Sequence, residues 1–250
     1  MSVRFDHDGA VGRILIDRPD KRNAFTLEMW DQLPRALHQA LLDRAVKVIV
    51  LQSSTPGMFC AGVDIYELMA NKANASWRGA NQAAINKAQL ELARVAKPTI
   101  AFVDGDCVGG GCGLALACDI RIATSRARFG ITPSNLGLVY PLHDTKLLTD
   151  LVGPGQAKRM LFSAALLDSE EAQRIGLVEL IEDSPDALAE LIASKSQHSI
   201  RLIKSFIRRI LDGQVGDDAE TLGQFAEAFT LPDFLEGTSA FLEKRKPDFK

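Results

Sequence analysis

Along the first half of the chain, short apolar runs alternate with longer stretches in which apolar residues recur every three or four positions. VGRILIDRPD (11–20) sets Ile14 and Ile16 on one face of a strand ahead of a turn at Pro19. TLEMWDQLPRALHQALLDR (26–44) carries Leu27, Trp30, Leu33, Leu37 and Leu41 at helical spacing, with Thr26 placed to cap the first turn. VKVIVLQS (46–53) is apolar without alternation, the pattern of a buried strand, and it runs into the turn-rich STPG. SWRGANQAAINKAQLELARVAK (76–97) predicts a helix stopped by Pro98, PTIAFVDG (98–105) a second buried strand, and CDIRIATSRARFG (118–130) a third strand with a turn. MANKANAS (69–76) reads as a mobile loop.

Beyond residue 130 the pattern becomes helical: HDTKLLTDLVG, GPGQAKRMLFSA and DSEEAQRIGLV are short amphipathic pieces punctuated by glycine. Residues 185–213 form one helix or two, and the remainder is helical up to Pro247. Strand-rich sequence followed by helix-rich sequence predicts an α/β core with a helical C-terminal subdomain. Neither a repeat nor an extended linker is visible.

With 250 residues, 46% of them hydrophobic and 24% charged, the composition is that of an ordinary soluble protein, and a net charge of −3 offers nothing to nucleic acid or an anionic membrane. The polar N-terminus MSVRFDHDGAVGRILIDRPD is not a secretory signal, and no apolar run reaches the roughly 20 residues that span a bilayer, so a cytoplasmic protein is expected. Cys60, Cys107, Cys112 and Cys118 contain no C-x-x-C pair and the four histidines are scattered, so no metal site is expected.

The chemistry-bearing feature is DGDCVGGGCGLALACDI (104–120), where three glycines stand before a very apolar helix. Helix N-termini leave backbone N–H groups unpaired and partially positive, and glycine lets another molecule approach them. Such a site suits a developing negative charge. The spacing is neither G-x-G-x-x-G, since Leu114 stands at the third glycine, nor a P-loop. Tight helix packing is the alternative use of these glycines. GMFCAGVDIYEL (57–68) offers a second glycine-then-helix turn, so the N–H groups of Val63 and Gly110 are candidate paired donors, with Asp64 as a helix cap.

FCAGVDI (59–65) and DGDCVGGGCGLALACDIRIA (104–123) resemble the two signature segments of the crotonase, or enoyl-CoA hydratase/isomerase, superfamily. LIDRPDKRNAF (15–25), FGITPSNLGL and the terminal FLEKRKPDFK resemble further landmarks in the same order. The resemblance implies a crotonase-like spiral of ββα turns over 1–190, with a helical trimerisation and CoA-covering region over 191–250. It implies a homotrimer or hexamer and an acyl-CoA thioester substrate, with coenzyme A arriving as part of the substrate and no tightly bound cofactor. The oxyanion donors would be Val63 and Gly110. Lys21, Arg22 and Ala24 would lie along CoA, Ala61 near its adenine end, and Lys246 and Phe249 would touch CoA across a subunit boundary.

The resemblance breaks at the acid-base residues. The two glutamates that hydratases of this family use fall at Gly113 and Pro133 here, and neither can transfer a proton. TPSNLGLVY further resembles methylmalonyl-CoA decarboxylases, in which a tyrosine at the position of Tyr140 orients the departing carboxylate. That subgroup carries a histidine where this chain has Val63. Remaining local proton-transfer candidates are Tyr140, His143 and Asp144 in YPLHDT, with Asp106 and Glu67 as weaker ones pointing to solvent. Asp144 also reads as an ordinary helix N-terminal acid, and Tyr140 as an exposed tyrosine. An atypical hydratase, isomerase or lyase, a decarboxylase, a non-catalytic acyl-CoA binder and, on thin charge support, an RNA binder are the readings the sequence leaves.

Overall fold

A computed structural model describes residues 2–249, so Met1 and Lys250, the outer ends of the two expected regions, lie outside the described residues. The chain opens with an antiparallel pair, β1 (Val3–Asp8) and β2 (Val11–Ile16), followed by α1 (Leu27–Leu42). Three similar turns follow. β3 (Val48–Ser53) and β4 (Met58–Cys60) lead into α2 (Ile65–Ala70) and α3 (Ala75–Arg94). β5 (Thr99–Val103) and β6 (Asp106–Val108) lead into α4 (Gly110–Ala117). β7 (Ile120–Ala123) and β8 (Arg128–Gly130) lead, through a 3-10 turn at Pro133–Leu136, into α5 (Leu142–Ser163).

In each turn the first strand joins one sheet and the second strand joins another. Short strands β9 (Leu167–Asp168) and β10 (Leu180–Ile181) flank α6 (Ser169–Arg174) and complete the sheets. The result is a six-stranded sheet in the order β1-β2-β3-β5-β7-β10 and a four-stranded sheet in the order β4-β6-β8-β9. This is the α/β spiral of ββα turns. Helices α7 (Asp186–Ala193), α8 (Gln197–Leu211), α9 (Ala219–Ala228) and α10 (Pro232–Leu242) close the chain.

The unalternating run in β3 has a direct cause. Ile49 and Leu51 face a large core shared with Trp30, Leu33 and Leu37 of α1, while Val48 and Val50 face a smaller one closed by Ala189 and Ala193 of α7. A strand covered on both faces is apolar at every position.

Several elements depart from the sequence pattern. The 118–130 segment is two strands in different sheets, because the ββα turn hands the chain from one sheet to the other. β1, β4 and β6 are additional short strands. MANKANAS is not a loop: Met69 and Ala70 end α2, Asn74 caps α3 by accepting from the N–H of Trp77, and only 71–74 connect them. Residues 185–213 make two helices, because Ser196 caps α8 by accepting from Ser199 and bonds Asp233 at 2.5 Å. Gly153, at φ 73°, breaks α5 ahead of Pro154, so the two short pieces expected there meet at a kink.

Candidate active site

The first half of the site is made of backbone. Residues 61–64 run beside 22–25: the N–H of Ala61 donates to the carbonyl of Arg22 (3.0 Å), Phe25 to Gly62 (2.7 Å) and Asp64 to Phe25 (2.9 Å). From the 61–64 segment this ladder uses the N–H groups of Ala61 and Asp64 and leaves out that of Val63. Asn23 anchors the inner strand from below, donating to Ser53 Oγ and to the carbonyl of Phe59. Asp64 caps α2 by accepting from Tyr66 and Glu67 and pairs with Arg18 at 2.7 Å. Burial opposes its charge, but Arg18 and the two amides outweigh burial and hold the carboxyl below its usual range.

Opposite lies the N-terminus of α4. Gly109, at φ 55° and ψ −117°, turns the chain, and its missing side chain leaves α4 without a side-chain cap. The first helical bond runs from Gly113 N–H to Gly109 O (3.1 Å), so the N–H of Gly110 has no intrahelical acceptor. Neither it nor the N–H of Val63 finds a partner among the described residues. The two loops touch: a Cβ built on Gly62 would stand 3.0 Å from the nitrogen of Gly110. A Cβ on Gly111 would collide with the carbonyl of Cys60, so that glycine answers to close packing rather than to chemistry. Two unpaired N–H groups on touching loops can stabilise one oxygen anion.

The second half is made of side chains gathered from three elements around Gly113. A Cβ at Gly113 would collide with Nε2 of Gln89, and would lie 3.1 Å from Oδ2 of Asp144 and 3.2 Å from the Tyr140 hydroxyl. Asp144 sits in the first turn of α5, as expected of a helix N-terminal acid, but its side chain turns inward and is 1% exposed. Burial pushes its carboxyl from an ordinary 3.8 up to about 7, with the Gln89 amide pulling in the opposite direction. Oδ1 of Asp144 and both polar atoms of Gln89 are buried without a well-formed hydrogen bond. Tyr140 is buried, not exposed: its hydroxyl donates at 3.2 Å to the carbonyl of Gly109, which shares its peptide group with the N–H of Gly110.

His143 meets this cluster only at Tyr140. The two line a cleft of about 460 Å³ with Gln82, Asn86 and Leu90 of α3, which neither Gly113 nor Asp144 lines. Burial, and then the charges of Arg208, Arg94 and Lys146, lower its pKa. Pro133 opens the 3-10 turn and brings no ionisable group. Asp106 and Glu67 do not point to solvent. Asp106 pairs with Arg22 and Arg128, and Glu67 accepts from the N–H of Leu27. Burial pushes the Cys60 and Cys118 thiols up to about 12, which removes them as nucleophiles at neutral pH. Among the described residues, no group of three or more His, Cys, Asp or Glu side chains is placed to hold a metal ion.

The residues expected along CoA divide into two groups. Lys21, Arg22, Ala24 and Ala61 are neighbours through the backbone ladder, with Lys21 over the ring of Tyr66 at 5.7 Å and Arg22 paired to Asp106. Phe249 lies elsewhere within this chain. Its carbonyl accepts from Lys47, at the end of β3 opposite Ser53, and its ring packs on Gly237, with Lys246 exposed on the same tail.

Gln89 is the site residue that the sequence reading passed over. Its signal was present: it follows Ile85 by four positions and precedes Leu92 by three, a polar side chain within the apolar stripe of α3.

The model of the enoyl-CoA hydratase/isomerase family matches residues 6–250. A crotonyl-CoA hydratase of Syntrophomonas wolfei is 36% identical over 260 residues, which span 99% of this chain and 97% of that protein. A short-chain-enoyl-CoA hydratase of Clostridium acetobutylicum is 32% identical over 98% of this chain and 96% of its own. Among solved structures, an enoyl-CoA hydratase/isomerase family protein from Hyphomonas neptunium superposes with a TM-score of 0.95 at 36% identity, covering 100% of this chain and 98% of that one. An enoyl-CoA hydratase from Bacillus anthracis superposes with a TM-score of 0.91 at 28% identity, over 100% and 99% of the two chains.

Proposed function

The chain belongs to the enoyl-CoA hydratase/isomerase family, and we propose that it acts on an acyl-CoA thioester, holding the thioester enolate on the N–H groups of Val63 and Gly110 while Asp144 carries the proton. The observation that supports this most strongly is the buried Asp144 carboxyl, 3.1 Å from the point where a side chain at Gly113 would begin. By the family pattern a glutamate belongs at Gly113 and another at Pro133. In this reading α5 supplies a carboxyl that α4 does not. A carboxyl titrating at about 7 is matched to moving protons near neutrality.

In the hydration direction, the Asp144 carboxylate takes a proton from water as the hydroxyl oxygen bonds to Cβ of the enoyl group. Electrons of the Cα=Cβ bond move onto the thioester oxygen, where the two N–H groups meet the charge. The protonated Asp144 then returns its proton to Cα, so the addition balances with one acid-base group. Coenzyme A enters as part of the substrate, along Lys21, Arg22, Ala24 and Ala61, and no tightly bound cofactor is required. The exposed apolar side chains Val139 (92%) and Leu142 (85%) favour self-association, in keeping with the trimer or hexamer the resemblance implies, with Lys246 and Phe249 then meeting a neighbour's CoA. No helix among the described residues is long and apolar enough to cross a membrane.

Decarboxylation has Tyr140 in its favour, but above pH 7 a departing carboxylate would meet the ionised Asp144, for which the described residues supply no ion pair.

The test incubates the protein with enoyl-, 3-hydroxyacyl- and malonyl-type CoA thioesters in D2O and follows products by mass spectrometry. Hydrated or isomerised product with deuterium at Cα is expected, and Asp144→Asn should lower both by about 10²–10⁴-fold. CoA-thioester binding without product or exchange would replace this reading with a non-catalytic binder.

A further inference from the structure

We infer that Gln89 is the positioning residue for Asp144, and that Gly113 is the space that lets it act. The inference rests on the reading of Asp144 as the proton carrier. Gln89 lies on the buried face of α3, fully enclosed, with Ala84, Ile85, Ala88 and Leu92. Its amide occupies the volume that the first atom of a side chain at 113 would take, and Asp144 Oδ2 borders the same point. The amide and the carboxyl therefore face each other across the gap left by Gly113.

Their unmet hydrogen bonds are complementary. Nε2 and Oε1 of Gln89 and Oδ1 of Asp144 are all buried without a well-formed hydrogen bond, although the Gln89 amide already lies close enough to favour the Asp144 anion, and leaving such groups poorly paired is costly. The terminal torsion of a glutamine side chain is broad, so a small rotation brings Nε2 onto the carboxylate. The anion is then held by a neutral donor, which fixes its direction while leaving it able to take up a proton. The protonated acid can instead donate to Oε1 after the amide turns over. One residue thus serves both protonation states.

The surroundings leave this task to Gln89. From α4 the bare Gly113 borders Asp144, while Cys112 acts on Tyr140, and the 3-10 turn that packs on α5 (Pro133, Ser134, Asn135, Leu136) has no titratable side chain. From its own segment come Tyr140, whose hydroxyl is committed to Gly109, and His143, which lines the other cleft. Arg94 and Arg208 act on His143, as does Lys146, which pairs with Asp150.

The first measurement uses the unaltered sequence. In protein labelled with 15N-glutamine and carboxyl-13C-aspartate, the Asp144 resonance is assigned by its loss in Asp144→Asn, and the Gln89 amide by its loss in Gln89→Met. Both are followed from pH 5 to 9. A shared midpoint near 7, with the Gln89 amide shift flattened in Asp144→Asn, is expected. Gln89→Met keeps the length and removes the amide, and should move the Asp144 midpoint upward by about one pH unit, the size of a lost hydrogen bond to a charged group. The low-pH limb of turnover should move with it. A Gln89 amide that stays flat through the Asp144 titration would overturn the positioning role, whether or not Gln89→Met folds. If Asp144→Asn leaves deuterium exchange unchanged, the proton-carrier reading fails, and this inference with it. If that variant is inactive while the Asp144 midpoint ignores Gln89→Met, only the inference fails.

Discussion

The two halves of the site are built by opposite means. The Val63 and Gly110 half is backbone, held by the ladder between 22–25 and 61–64 and by the uncapped start of α4, and it depends on side chains being absent. The Gly113 half is made of side chains from α3, α5 and the segment before α5, brought into register by the packing of three elements. The backbone half is preorganised by local geometry, and the N–H of Gly110 would be unpaired at any helix start. The side-chain half is costly: a buried carboxyl and an amide without a well-formed hydrogen bond oppose folding and persist because the surrounding core enforces them. Function is expected where both halves meet, and each can be attacked separately.

The largest effect should come from Gly110→Pro. Gly110 is the first residue of α4, a position that tolerates proline, and a Cβ there meets Trp30 at an ordinary 3.4 Å. The variant removes one donor from a folded protein, so turnover should fall by about 10²–10³-fold with an unchanged circular dichroism spectrum. Retained turnover would break the backbone half of the comparison.

Asp144→Asn probes the cost of the buried carboxyl. The folded carboxyl keeps its proton up to about pH 7 whereas the unfolded one loses it near 3.8, so its contribution is most favourable below 3.8 and is lost as pH rises to 7. The variant should therefore be more stable than the parent by about 4 kcal/mol at pH 8, with the gain vanishing toward pH 4, as read from urea unfolding. A gain independent of pH would mean that Asp144 stays ionised in the fold.

Gly113→Ala sharpens the same half. The added methyl meets Gln89, so a loss of about 1–3 kcal/mol is expected, smaller when introduced into Gln89→Ala. Additive losses in the double-mutant cycle would separate the two residues. The smallest effect belongs to Tyr140→Phe, which deletes the bond to Gly109 and should cost about 1 kcal/mol. A fall in kcat with KM unchanged would instead show that the hydroxyl touches substrate.

The halves also differ in how far the sequence reveals them. Backbone chemistry leaves a local signature: glycine runs before an apolar helix pointed to Gly110, and the glycine at 62 to Val63, without knowledge of the fold. The core strands were legible for a similar reason, since continuous burial writes itself into VIVL at 48–51. The side-chain half has no such signature. Asp144 and Gln89 are 55 positions apart, and only the fold shows that the acid at the start of α5 turns inward to meet α3. The short strands β4 and β6 escaped for a related reason: three residues carry too little period to be told from a turn.

The interlock of Gly113 with Gln89 also orders the mutational paths open to this chain. A glutamate at position 113 would bring its first carbon into collision with Nε2 of Gln89, so the amide would have to swing aside. Swinging it aside takes the amide away from Asp144 in the same step that adds a carboxyl on α4. A smaller residue introduced first at 89 would relieve the crowding, so the order of the two substitutions decides how much stability is lost on the way.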